Sequence, residues 1–185
     1  MFIQALFYRK KDAERSSTIM NRLTSLNYLI ILQAHLSMFD DAFENLNEMK
    51  KLYRTYPLRL YQRKFVKTEA VLYYETGDFE TSEAKFNKLI RLEAEAGIVN
   101  FKLFNFAMLA FGAYFAGDLN KALNYLELLK QELTSKDVFF TQYPRFFDTM
   151  ISLKNSGDLS TSNHFDVLES YNELAEKNNM KPALI

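Results

Sequence analysis

Gly77-Asp78-Phe79-Glu80-Thr81-Ser82 decides how the chain is read, because it is one of four copies of a single mark. The others are Ser37-Met38-Phe39-Asp40-Asp41-Ala42, Gly117-Asp118-Leu119-Asn120-Lys121-Ala122 and Gly157-Asp158-Leu159-Ser160-Thr161-Ser162. Their first residues, 37, 77, 117 and 157, stand 40 positions apart. A fixed interval in the range of roughly 20 to 50 residues is what a stacked array of one repeated unit leaves in a sequence.

Working outward from the mark, the unit reads as a helical hairpin. The chain has only five glycines and three prolines, and its apolar residues fall mostly three and four apart, which supports helices and gives strands little support. Within each mark the glycine, or Ser37 in the first copy, closes one helix, since the position past a helix end favours a left-handed residue. The aspartate that follows, Asp78, Asp118 or Asp158, is placed to accept a hydrogen bond from the first turn of the next helix. Five positions past each mark stand Ala42, Ser82, Ala122 and Ser162, small at every copy, so that two helices can approach closely there. Nine and twelve positions past it, Leu46/Met49, Phe86/Leu89 and Leu126/Leu129 continue the apolar stripe of the second helix. Eleven and eight positions before the mark stand Leu26/Leu29, Val66/Glu69, Phe106/Leu109 and Phe146/Thr149, and seven and four before it Ile30/Gln33, Ala70/Tyr73, Ala110/Ala113 and Met150/Leu153, the matching stripe of the first helix.

This arrangement resembles the tetratricopeptide repeat, and the second copy carries the likeness best, with Ala70, Tyr73, Gly77, Asp78, Phe79, Ser82, Phe86 and Leu89 in the family's order. The period is longer than the family's roughly 34 residues, the family's terminal proline is missing, and Ser37 replaces a turn glycine. Longer helices are the natural place for the extra residues. The resemblance implies an all-α, right-handed superhelix of stacked antiparallel hairpins forming one domain over residues 1–185. Its repeats would be 23–62, 63–102, 103–142 and 143–178, with a tail at 179–185. Residues 1–16 would form an N-terminal helix in the place of a preceding hairpin's second helix, with Phe2 and Leu6 in the packing positions. Ser16-Ser17-Thr18 marks the break before the next helix. Pro57 and Gly97 fall between hairpins, and Pro144 falls near the start of the fourth hairpin. In the fourth unit the apolar face shifts to Phe165, Leu168, Tyr171 and Leu174, as suits a terminal capping repeat.

Composition narrows the function classes. Lys plus Arg and Asp plus Glu both number 23, so no global field draws the chain to nucleic acid or to an anionic membrane. No cysteine is present, which removes disulfides, thiolate metal sites and cysteine nucleophiles and fits a cytoplasmic location. His35 and His164 lie in different units without a second ligand one helical turn away, so neither metal nor cofactor is expected. The N-terminus lacks a signal-peptide pattern, and the apolar stretch 99–117 contains Lys102 and two asparagines and sits in register with soluble segments. No phosphate loop or nucleophile motif occurs, and a non-enzymatic protein is expected.

The candidate binding residues follow from the resemblance, which places peptide recognition on the concave face of the first helices. Carried over by register these are Asn27 and Ile31 in the first unit, Arg63, Lys64, Lys67, Val71 and Tyr74 in the second, and Phe104, Phe111, Tyr114 and Phe115 in the third. Asn27 with Ile31 does not reproduce the family's Lys/Asn clamp for C-terminal carboxylates. The basic run Lys50, Lys51, Arg54, Arg59, Arg63, Lys64 and Lys67 contains no acid and suggests an anion-facing patch; the bland alternative pairs it with Glu93 and Glu95 of a neighbouring unit. The aromatics of the third unit suggest an apolar anchor that faces a groove or a second copy, which would make a homodimer. A protein or peptide ligand is thus expected, without nucleic-acid or membrane contact. The long aromatic-rich hairpins also resemble, in general character, the C-terminal peptide-sensing and dimerisation domain of pheromone-responsive transcription regulators of Gram-positive bacteria.

Overall fold

Three-residue connections and helices of equal length set the period from α2 to α5. A computed structural model describes residues 2–57, 59–98, 102–134, 140 and 143–156, and among them the regular elements are all helices. They are α1 (Phe2–Arg15), α2 (Ile19–His35), α3 (Phe39–Thr55), α4 (Arg59–Glu75), α5 (Phe79–Glu95), α6 (Lys102–Phe115), α7 (Leu119–Glu132) and α8 (Tyr143–Ser156). From α2 to α5 each helix has 17 residues and each starts 20 positions after the one before, at 19, 39, 59 and 79. Two such steps make the interval from 37 to 77, where the longer helices account for the long period; the interval from 77 to 117 keeps its length with a 14-residue α6 and a longer connection before it. The fourth mark at Gly157 and Asp158, the expected capping face from Phe165 to Leu174, His164 and the tail lie outside the described residues.

In its three described copies the mark builds the same turn. Ser37, Gly77 and Gly117 adopt φ of 58°, 80° and 87°, and each donates its N–H to a carbonyl three residues back, Ala34, Tyr74 and Tyr114, at 3.0 Å. Glycine meets this left-handed requirement freely, whereas Ser37 meets it with a Cβ, at a cost of about 1 kcal/mol. Asp78 and Asp118 then cap α5 and α7 by accepting from the N–H of Thr81 at 3.1 Å and Lys121 at 3.0 Å. Met38 stands at the same place before α3 and makes no side-chain cap. At the other break, Thr18 caps α2 through the N–H of Asn21. Pro144 falls in the first turn of α8, where its missing N–H costs no helical bond.

From α1 to α7 each helix packs on its neighbour in sequence, and α2 also lies against α4. The core follows the register: Ala42, Leu46 and Met49, then Ser82, Phe86 and Leu89, then Ala122, Leu126 and Leu129 are all buried. Ser82 keeps the close approach of a small residue while its hydroxyl donates to the Ala70 carbonyl at 2.9 Å, so the polar atom is not left unsatisfied. Replacing Ala122, which is fully buried, by leucine is expected to overpack the α6–α7 contact and cost about 1–3 kcal/mol. A denaturant titration showing an unchanged midpoint would contradict that placement.

The joints between hairpins vary where the hairpins themselves repeat. Sixteen positions past the mark and twelve before the next one, Tyr53 of α3 stacks on Phe65 of α4, with centroids 5.5 Å apart and planes within 2°. One unit later the same two positions are Glu93 and Asn105, and the Asn105 amide donates to the Glu93 carboxylate at 2.7 Å. Both members of this polar pair are buried.

Candidate functional site

The first helices α2 and α4 meet along a ladder of polar contacts. Thr24 and Tyr61 share a hydroxyl–hydroxyl bond of 3.1 Å, and Tyr61 also donates to the Met20 carbonyl at 3.1 Å. Thr68 donates to the Asn27 side chain, and His35 Nδ1 stands 2.8 Å from Glu75 Oε1. Asn27 is thereby committed to helix packing. Ile31 is likewise half-buried, against the core formed around Val66, Val71 and Phe86.

One unit farther along, the expected basic residues gather with the first of the third-unit aromatics. Lys67 Nζ lies 4.6 Å from the centre of the Phe104 ring, a cation–π contact that gains strength as water is excluded. Phe104 in turn meets Phe86 edge-on at 6.3 Å. Burial lowers the Lys67 pKa below the ordinary lysine value, and the Glu93 carboxylate opposes that shift. Glu93 is displaced upward, again by burial, while the Asn105 hydrogen bond and the charges of Lys67 and Arg63 hold it down. One helical turn before Lys67, Lys64 is exposed, with its ammonium 5.1 Å from the ring centre of Tyr61, which bonds to α2. The cluster therefore holds two cations near a buried carboxylate, one of them over the ring of Phe104, with an exposed cation one helical turn away.

The rest of the expected surface is corrected by burial. Phe111, expected as an exposed anchor, is 7% exposed because α8 lies across it, with Phe147 at 4.5 Å and Tyr143 at 5.6 Å between ring centres. Tyr114 is half-buried in the same contact, and its hydroxyl donates to the Met150 carbonyl at 3.3 Å. Val71 is buried, and Tyr74 packs edge-on against Phe79. Phe115 alone of the third-unit candidates stands largely open, at 53% exposure, stacked between Phe79 and Phe111. The neighbouring helix α8 covers what α6 alone would leave bare, and that cover depends on which residues α8 brings.

The basic run is also partly neutralised. Lys50 reaches the buried Glu69 at 3.2 Å, and Lys85 reaches its other oxygen at 2.7 Å, so one carboxylate on α4 ties α3 to α5. Glu69 occupies the position held by Leu29 and Leu109 in the adjacent units, a register anomaly visible in the sequence whose partners are not. Of the acids offered as counter-charges, Glu93 lies with the cations as expected. Lys51, Arg54 and Lys64 remain exposed, and the side chain of Arg59 lies outside the described residues.

No protein-family model matches the chain, and neither does any curated protein sequence. Among the described residues no group of histidines and carboxylates could hold a metal ion, and no described helix is long and apolar enough to cross a membrane.

Proposed function

We propose that the chain is a non-enzymatic scaffold of the tetratricopeptide type, a right-handed array of stacked hairpins that binds a protein or peptide segment on its first helices. The observation that carries this reading is the Lys67 ammonium 4.6 Å from the centre of the Phe104 ring, with Arg63 acting on the same Glu93 carboxylate and the exposed Lys64 one helical turn before Lys67. An extended ligand with a carboxylate beside an apolar side chain would meet complementary chemistry there, the carboxylate at Lys64 and Arg63 and the side chain against Phe104. Asn27 and Ile31 set the edge of this surface through their packing, and Phe115 is a second apolar element toward the turns. A cytoplasmic location accords with the cysteine-free composition.

The test is a selection of random twelve-residue peptides displayed on phage against the folded 185-residue chain, followed by anisotropy titrations of an enriched acidic-aromatic peptide. Lys64→Glu with Lys67→Glu is expected to weaken binding at least tenfold, about 1.4 kcal/mol. It should also flatten the loss of affinity between about 0.05 and 0.5 M salt, a range over which surface charges become screened. Enriched peptides that lack acids, or an affinity and salt dependence untouched by both reversals, would leave the basic cluster as a solvated face.

A further inference from the structure

The joint between the second and third units carries smaller side chains than the joint before it. In the earlier joint Phe43 of α3 and Tyr73 of α4 form a ring pair with centroids 5.7 Å apart, and Thr76 stands just past the end of α4. Forty positions on, the same places are held by Glu83, Ala113 and Ala116. All three line a cavity of about 320 Å³, whose apolar wall is made by Phe79 and Phe86 of α5 and by Met108 and Leu109 of α6. Gly112 lies on the same wall, but its neighbour accounts for it: a Cβ there would stand 3.8 Å from the Tyr74 ring, and Tyr74 takes the place of the small Ala34. The exchange of Phe43 and Tyr73 for Glu83 and Ala113 removes two rings from the register without adding one at either place.

Size and charge together say what fits there. An apolar cavity of about 150 Å³ is enough to bind benzene, so this one has room for the ring of an incoming side chain. It opens beside Glu80, Ala116 and Asp118, all exposed. The carboxylates of Glu80, Glu83 and Asp118 stand around it with a single ammonium, that of Lys121, which reaches Glu83 at 3.0 Å and Asp118 at 3.8 Å. A negative excess therefore remains after these ion pairs are counted, and it repels a partner carboxylate and draws in a guanidinium or ammonium. We propose that this joint is a second binding site: it takes an aromatic side chain of a partner peptide beside Ala113, as the Tyr73 ring sits one unit earlier, with a neighbouring basic residue of the peptide against Glu80 and Asp118. Its lining shares no residue with the basic cluster around Lys67, and the two sites ask for opposite charge.

The probe is acetyl-Phe-Arg-amide, titrated into the full 185-residue chain and followed by the methyl NMR signals of Met108, Leu109, Ala113 and Ala116. Saturable shifts of these methyls are expected with a Kd of about 1 mM, and acetyl-Phe-Glu-amide and acetyl-Ala-Arg-amide should each bind about tenfold more weakly. Ala113→Phe, which restores a ring where the preceding joint has one, should hold or raise the denaturation midpoint and abolish the shifts. Glu80→Arg, at an exposed position and independent of the packing, should weaken acetyl-Phe-Arg-amide about tenfold and turn the preference toward acetyl-Phe-Glu-amide. Reversing Lys64 and Lys67 to Glu should leave this binding unchanged. The absence of saturable shifts up to about 10 mM, beyond the Kd of even a weak specific site, overturns the proposal. So does equal binding of the Arg and Glu peptides, a folded Ala113→Phe chain that binds like the parent, indifference to Glu80→Arg, or a loss of binding on reversal of Lys64 and Lys67, which would place the peptide on the basic cluster instead.

Discussion

Removing both lysines that flank Glu69, as Lys50→Met with Lys85→Met, is expected to destabilise the chain by about 3 kcal/mol. Adding Glu69→Leu to the same chain should recover most of that loss. The Glu69 side chain is 5% exposed while the lysines are 30% and 29% exposed, so the carboxylate has given up water and depends on two ammonium groups that have not. A buried charge stripped of its partners typically costs roughly 3–5 kcal/mol; the lower end applies because water can enter where the lysine heads were. Leucine is the residue that adjacent units place there, at Leu29 and Leu109, both buried, so the apolar replacement suits the local packing. Urea denaturation of the three chains decides it. If the double variant is as stable as the parent, or if Glu69→Leu does not rescue it, the carboxylate does not bear on folding in the way the two contacts imply.

Phe111→Ala is expected to cost about 3–5 kcal/mol of stability, the usual range for removing a buried phenylalanine. Its ring sits against Phe147, itself 1% exposed, and against Tyr143, so truncation opens a cavity between α6 and α8. Hydrogen exchange should report the damage first in residues 143–156, whose packing on the third hairpin loses its centre, and only later in α2 and α3. Lost peptide binding with an unmoved denaturation midpoint would instead return Phe111 to the role of an exposed anchor.

The hairpins were legible in the sequence because their determinants are local and recur. The turn needs a residue tolerant of positive φ, the next helix needs an acceptor at its start, and the close approach needs a small side chain; each sits at a fixed distance from the mark. The surface was less legible, because exposure is set by what a neighbouring unit brings. Phe111 and Phe115 are one helical turn apart and equally apolar, yet only the first meets Tyr143 and Phe147. Nor could composition alone reveal that Lys50 and Lys85 converge on one carboxylate from different helices, since neither lies near Glu69 in the chain. His35 and Glu75 show the intermediate case: they are 40 positions apart, so the register that placed the hairpins also held this pair, but only as a coincidence of spacing until the helices were seen side by side.

The two joints described above, Tyr53 on Phe65 and Glu93 with Asn105, make the order of the hairpins part of the code. Exchange the second and third units and the Asn105 amide would be pressed on the Tyr53 ring without its acceptor, while Phe65 would lose its ring partner to Leu133. The units are thus keyed parts rather than interchangeable beads. A lineage that lengthens or shuffles this array must duplicate or recut it with matching halves of each joint, so a chain that counts as four copies of one pattern is, in its history, constrained to a single sequence of assembly.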